Sequence, residues 1–377
     1  MAASVTSAVL MEGSLAQNFE LPCAAGALAA ALPVDEPIER PRMDTIRELR
    51  RDPITGAWVI VASALSRELG EFLPHSAEHG VCKLCSGNER MTPPELLAFR
   101  DFGGPNEPGW RIRVVPNFSP VLRVEGTLDC QGEGPYDRMN GIGAHEILVE
   151  SPTHDQETSD FPAEKFTGIL LALRERFIDL RRDHRMRYIA AFKNHGPEAG
   201  AVLAHAHWQI VGLPVVPKRV VAEVANGLRH FEAHDRCVVC DVLKGEIHEA
   251  RRVISADNSC VVLAPYASRV PFETWIVPRH HESHFENTSQ QVLESVAAAV
   301  RSTLRKMRTV LERPAYNITL QTAPVQEPGM PHYHWRIEIV PRVTRRAGSG
   351  FEWGTQAYVN PTPPEEAAQF LREASSD

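Results

Sequence analysis

The stretch that decides the fold is AGAVLAHAHWQIVGLP, residues 199–214. It reads as a strand, and in an extended chain successive side chains point to opposite faces. His205, His207 and Gln209 then share one face, with Ala204, Ala206, Trp208 and Ile210 on the other. An apolar face backed by three polar groups is built for chemistry or for metal. A second stretch, HYHWRIEIVPR at 332–342, again alternates histidines and ends near a proline.

Working outward, the segments before the two stretches recur in one order. The first half has AWVIVA (57–62), the CxxC turn CKLCSGNE (82–89), strands WRIRVVPN (110–117) and AHEILVES (144–151), an amphipathic helix over 162–184 and the strand MRYIAAFKNHG. The second has CVVCDVL (237–243), strands CVVLAP and FETWIVP (272–278), a long helix over 288–312 and the strand YNITLQTAP (316–324). Cys82 and Cys237 lie 155 positions apart and Tyr188 and Tyr316 lie 128 apart, so this is a diverged duplication with unequal loops. The expectation is an α+β fold of two halves, each an antiparallel sheet covered by one long helix. Residues 1–42 read as a disordered or weakly ordered tail, with Met43 a candidate start, 43–215 as the first half and 216–377 as the second, the boundary falling in 215–236. The last segment reads as a Gly-rich loop followed by a short helix from near Pro363.

The chain of 377 residues carries a net charge of −8 and no Lys/Arg block, which argues against a nucleic-acid partner. The longest apolar run, CAAGALAAALPV at 23–34, is too short to cross a bilayer, and residues 1–39 hold no Lys or Arg to begin a secretory signal. A cytoplasmic protein with no membrane partner is expected.

Four of the seven cysteines form two CxxC pairs, Cys82/Cys85 and Cys237/Cys240. In a reducing compartment that spacing favours metal or redox chemistry. Two cysteines clamp one ion from a tight turn and leave two positions for distant histidines: His154 and His205 in the first half, His281 and His334 in the second. A thioredoxin-like pair lacks its compact βαβ setting. Cys23, Cys130 and Cys260 read as small buried hydrophobes or tail thiols.

If His205 belongs to metal, His207 is left free. A neutral imidazole bonded through one nitrogen can attack phosphorus with the other, and Gln209 can offer its amide N–H to a phosphoryl oxygen. The loop FKNHGPEAGA (192–201) brings Lys193, Asn194, Gly196 and Gly200 as phosphate-approaching groups. RIRVVPN reads either as an edge strand with solvated arginines or as a carrier for a substrate-facing Asn117, and the HxHxQ alone also fits a plain metal site or a polar strand face. Trp335 reads as core; Trp353 and Tyr358 are open between core and base stacking.

Together, ELRRDPITGAWVIVA, CKLCSGNERMTPPEL, WRIRVVPN, ESPTHD, FKNHGPEAGAVLAHAHWQI, PFETWIVPRHH and HYHWRIEIVPR resemble the galactose-1-phosphate uridylyltransferase family of the histidine-triad (HIT) superfamily. The resemblance implies a duplicated HIT-like fold and ping-pong transfer of a nucleoside monophosphate between sugar 1-phosphates. It places His207 as nucleophile and Gln209 on the phosphate. It makes Cys82, Cys85, His154 and His205 structural zinc ligands, and Cys237, Cys240, His281 and His334 a second zinc site of phosphorylase-like members. It also implies a homodimer in which the GFEWGT segment, with Glu352, reaches the neighbour's site. Departures are Ala206 for a proline, Trp208 for a small residue, Val202 for a phosphate-holding serine and Arg336 for a histidine, with Gln321 near another expected ligand; an iron site is not supported. UDP-glucose:galactose-1-phosphate uridylyl transfer is the main expectation. The alternatives are an ADP-glucose phosphorylase or related adenylyltransferase, and a non-catalytic zinc and nucleotide-binding protein.

Overall fold

The computed structural model describes residues 46–62, 81–154, 156–343 and 350–375. The expected tail, Met43 and Cys23 lie outside them.

In the first half, β3 (Leu97–Arg100), β4 (Trp110–Pro116), β7 (Ala144–Val149), β8 (Tyr188–His195) and β9 (His207–Leu213) form one run of antiparallel strands. In the second, β10 (Val253–Ala256), β11 (Cys260–Leu263), β12 (Thr274–Pro278), β13 (Tyr316–Gln321) and β14 (Arg336–Pro341) form another. Contrary to the expectation of one sheet per half, they join in a single ten-stranded sheet of order β10-β11-β12-β14-β13-β8-β9-β7-β4-β3. Outward from the junction the two halves read alike. The junction pairs β8 with β13, Asn194 opposite Asn317, so each half covers the edge that the other would leave open.

Helix α1 (Ala163–Leu180) precedes β8, and α4 (Gln290–Val310) precedes β13. α1 buries Phe166, Ile169, Leu170, Leu173, Phe177 and Leu180, and α4 buries Leu293, Val296, Val300, Leu304 and Met307. These spacings of three and four put one apolar stripe on each helix. The two stripes meet each other and the sheet in one core that includes Trp208, Ile210, Ile318, Trp335 and Ile337. Ser289 caps α4 by accepting the Val292 N–H.

The opposite face of the first half is partly covered by a small sheet ordered β2-β1-β6-β5, made of β1 (Arg47–Arg51), β2 (Trp58–Ala62), β5 (Gln131–Glu133) and β6 (Tyr136–Asn140). Leu49 of β1 and Met139 of β6 pack there against Val211 of β9. Of these strands the sequence reading reached only β2.

The deciding stretch is a strand only from His207 onward. Pro197–Ala199 makes a 3-10 turn, Gly200 takes φ +80°, and His205 lies in irregular chain just before the ladder. The second stretch is likewise a strand only from Arg336. The proposed boundary region folds as helix α2 (Lys218–His234), and Cys237 caps a further helix, α3 (Val238–Glu249). β4 is interior, with β3 outside it, so it is no solvated edge. Arg113 is 1% exposed and bonded to Glu95 and Thr92, whereas Arg111 is exposed and paired to Asp101. GFEWGT is the short helix α5 (Gly350–Thr355), and α6 (Pro364–Glu373) starts where expected. Trp335 is buried as expected, while Trp353 and Tyr358 are exposed. Cys260 is buried, whereas Cys130 is exposed just before β5. Among the described residues no helix is long and apolar enough to cross a membrane.

Candidate active site and metal centres

β9 sets the site. Trp208 and Ile210 enter the core beneath the helices, which turns His207 and Gln209 to the other face, opposite Val149 and Ile147 of β7. Along that face the turn of the first CxxC packs through Cys82 and Leu84 onto Ile147 and Val149.

The first Cys/His set converges. Cys82 Sγ lies 3.5 Å from His205 Nδ1, and Cys85 Sγ lies 3.6 Å from Nδ1 of both His154 and His205. A tetrahedral site with ordinary zinc–sulfur and zinc–nitrogen lengths has S···N edges of roughly 3.6 Å. His205 Nε2–H donates to the Ser151 carbonyl at 2.7 Å, which leaves Nδ1 as the lone-pair donor. The second set repeats this: Cys240 Sγ lies 3.4 Å from His281 Nδ1 and 3.5 Å from His334 Nδ1, with Cys237 completing the group. A hydrogen bond from Cys240, then those from His281 and His334, hold the Cys237 thiol below its usual pKa, while that same bond and burial push the Cys240 thiol up, so the pair shares one negative charge. Both sets therefore fit a bound metal ion. With four protein ligands each, neither keeps a position for substrate.

His207 is buried, and its Nδ1 lies 2.7 Å from the His205 carbonyl, an atom that can only accept. The ring proton therefore sits on Nδ1, and Nε2 carries a lone pair. Burial, aided by the charge of Lys193, pushes the imidazole pKa down to about 4.

Gln209 and Asn117 approach from neighbouring positions through His145, a residue the sequence reading passed over. His145 Nε2 is 2.9 Å from Gln209 Oε1 and 3.0 Å from Asn117 Nδ2, and the Asn117 N–H donates to the His145 carbonyl at 2.8 Å. Its only sequence signal was a polar side chain inside an apolar strand, two positions from Ile147 on the same face. The loop after β8 is braced from the other half. Asn194 Nδ2 donates to the Gly200 carbonyl, while Asn317 Nδ2 donates to Asn194 Oδ1 and the Ala199 carbonyl, both at 2.8 Å. A Cβ at Gly200 would meet nothing nearer than 3.9 Å, but its left-handed φ disfavours any side chain there, and its N–H and carbonyl are spent within the loop on the Pro197 carbonyl and Asn194 Nδ2. Val202 beside it is 92% exposed.

Lys193 departs from expectation. It is 1% exposed and its ammonium lies 3.0 Å from Glu150 Oε2, with Thr158 donating to the same oxygen. Strand alternation puts it opposite Ile318 on the helix-covered face, away from His207. It is a buried counter-ion rather than a phosphate contact. Glu352 bonds locally, accepting the Val359 N–H.

In the second half Arg336 opens β14 where His207 opens β9, and Glu338 stands where Gln209 does. Arg336 bonds Glu338 and Glu223 and lies 4.5 Å over the Trp275 ring, and Glu338 also takes Arg219 and Arg269. That position holds an ion-pair network and no nucleophile. Gln321 bonds Thr319 and joins no ligand set.

Two family profiles match the chain, one described as "Domain of unknown function (DUF4931) N-terminal domain" over residues 136–216 and one as "HIT domain" over 246–342. A galactose-1-phosphate uridylyltransferase from Thermotoga maritima is 27% identical, covering 86% of this chain and 98% of its own. An ADP-glucose phosphorylase from Arabidopsis thaliana is 34% identical over 337 residues, covering 87% of this chain and 93% of its own. The chain belongs to the galactose-1-phosphate uridylyltransferase family of nucleotidyltransferases. Within the family, an ADP-glucose phosphorylase structure from A. thaliana with bound ADP-glucose matches at TM-score 0.69 and 31% identity, covering 87% of this chain and 99% of that one. A uridylyltransferase structure matches at TM-score 0.72 and 26% identity, over 86% and 97%. The duplicated HIT-like α+β fold of this family member is the one its sequence implied.

Proposed function

We propose that this protein transfers a nucleoside monophosphate from a nucleotide sugar to a phosphate-bearing acceptor through a covalent intermediate on His207. The observation that carries this reading is the Nδ1–H bond of His207 to the His205 carbonyl, which leaves Nε2 as the attacking atom on the face shared with Gln209. In the first step the Nε2–phosphorus bond forms as the bond from the α-phosphorus to the sugar-phosphate oxygen breaks, releasing glucose 1-phosphate. The His205 carbonyl then stabilises the positive charge taken up by the ring. In the second step an acceptor phosphate oxygen attacks phosphorus, the N–P bond breaks and neutral imidazole returns. Gln209 and Asn117 offer amide N–H groups to the phosphoryl oxygens, and the braced Asn194–Gly200 loop borders them.

The donor in this reading is ADP-glucose and the acceptor inorganic phosphate, giving ADP and glucose 1-phosphate. The 34% identity to the A. thaliana phosphorylase supports it. Uridylyl transfer from UDP-glucose to galactose 1-phosphate is the second reading, supported by the Thermotoga relative, 98% of whose length aligns. The metal in both Cys2His2 sets is zinc, which when bound supplies a rigid tie between the CxxC segment and the strands. The protein acts in the cytoplasm as a homodimer. The exposed Phe351, Trp353 and Tyr358 in and beside α5 support a segment that covers the neighbouring copy's site, with Glu352 carried along. Light scattering checks the dimer.

Intact mass after incubation with ADP-glucose or, separately, UDP-glucose at mildly alkaline pH tests the reading. An AMP-sized adduct that phosphate removes as ADP supports phosphorolysis, and a UMP-sized adduct discharged by galactose 1-phosphate supports the second reading. No adduct with either donor in metal-replete protein favours a non-catalytic nucleotide-binding role.

A further inference from the structure

His145 stands beside the site with a tautomer that its surroundings dictate. The Val121 backbone N–H points at Nδ1 from 3.2 Å, so Nδ1 must offer its lone pair. The other tautomer would satisfy only Asn117 Nδ2, 3.0 Å from Nε2, while setting the Val121 N–H against a ring N–H and the Gln209 carbonyl against a lone pair; the Nε2–H tautomer satisfies two of the three contacts, and the difference is about 1–3 kcal/mol. The single proton of the neutral ring is therefore on Nε2, where Gln209 Oε1 at 2.9 Å is the acceptor. Asn117 cannot take that role, because its Oδ1 is held by the Ser119 N–H at 2.8 Å and its Nδ2 is the atom turned to the ring. Burial lowers the His145 pKa and so favours the neutral form on which this count rests. Gln209 Nε2 makes no hydrogen bond among the described residues.

We infer that His145 is a positioning residue that locks the Gln209 amide by its carbonyl, so that the Gln209 NH2, with that of Asn117 beside it, meets the phosphoryl group transferred at His207. This rests on the nucleotidyl-transfer reading and deepens it. An unlocked glutamine can present its carbonyl oxygen to the phosphate as readily as its NH2, which replaces an attraction by a repulsion. The lock removes that choice before substrate arrives.

The test is a double-mutant cycle read by the single-turnover rate of nucleotidyl-histidine formation with ADP-glucose and UDP-glucose, alongside melting temperature and metal content. His145→Ala is expected to slow adduct formation about ten- to a hundred-fold while changing substrate affinity little. His145→Gln, which can place an amide donor near the former Nε2, should recover part of the rate. In a Gln209→Ala background, His145→Ala should slow the reaction no further. Additive losses, or an unchanged rate in a folded His145→Ala protein, overturn the positioning role and leave the transfer reading intact. Wild-type protein that forms no adduct overturns both. Should His145→Ala melt at a lower temperature, 15N shifts of the histidine rings in wild type decide: a proton on Nε2 that moves to exchange in Gln209→Ala supports the lock, and a proton on Nδ1 overturns it.

Discussion

At the level of single residues the active centre is organised by which nitrogen of each imidazole holds the proton. His205 donates through Nε2 and leaves Nδ1 turned to the Cys82/Cys85 thiols, whereas His207 donates through Nδ1 and leaves Nε2 with its lone pair, the atom proposed to attack phosphorus. Replacing His207 with glycine should abolish nucleotidyl transfer while metal content and melting temperature stay near wild type; equal loss of metal would exchange the roles of the two histidines. Lys193→Met should act differently, by stranding the buried Glu150 carboxylate, at about 3–5 kcal/mol of stability; urea denaturation would measure it. The spacing of His205, His207 and Gln209 was readable from sequence because such close positions stay together in any fold. The facing of Lys193 was not, since it depends on β13, more than a hundred residues away, and His145 acquires meaning only from Gln209 across the β7–β9 ladder.

Secondary-structure elements set the next level, where periodicity was a good guide to α1 and α4 and a poor one to where strands begin. Alternation of side chains continues through 199–206 in the sequence, yet Gly200 turns the backbone and His205 turns to the Cys82/Cys85 thiols, so the ladder starts at His207. The helix opened by Cys237 is hard to read in the sequence because its cap is a cysteine rather than a Ser, Thr, Asp or Asn. α4 offers a plain check: Ser289→Ala removes the side chain that accepts the Val292 N–H and should cost about 1 kcal/mol in chemical denaturation. β14 offers a pH-dependent one. Burial alone would raise the Glu338 pKa, but Arg336, Arg219 and Arg269 override it and hold the carboxyl at about 2. A depressed pKa contributes stability above the unfolded value and loses it as pH falls, here between the ordinary glutamate value of 4.5 and about 2. The stability gap between wild type and Glu338→Gln should thus be widest at neutral pH and close across that window, as followed by melting temperature.

For the molecule as a whole, duplication could be read from the repeated order of motifs, and the fusion of both halves into one sheet could not, because no local pattern says which strand edges meet. Each Cys/His set ties segments that are distant along the chain, 82–85 to 154 and 205, and 237–240 to 281 and 334. Strong chelation should therefore lower the melting temperature by several degrees or more; unchanged melting of metal-free protein would remove the structural role.

The shared seam between β8 and β13 also limits how the gene can be cut. A chain severed near residue 216 would give two fragments, each ending its sheet in a bare row of unpaired amides, one with His207 and the other with Asn317. Expressed singly, such pieces should clump edge to edge; made together, they should find one another, and neither is complete as an enzyme without the other.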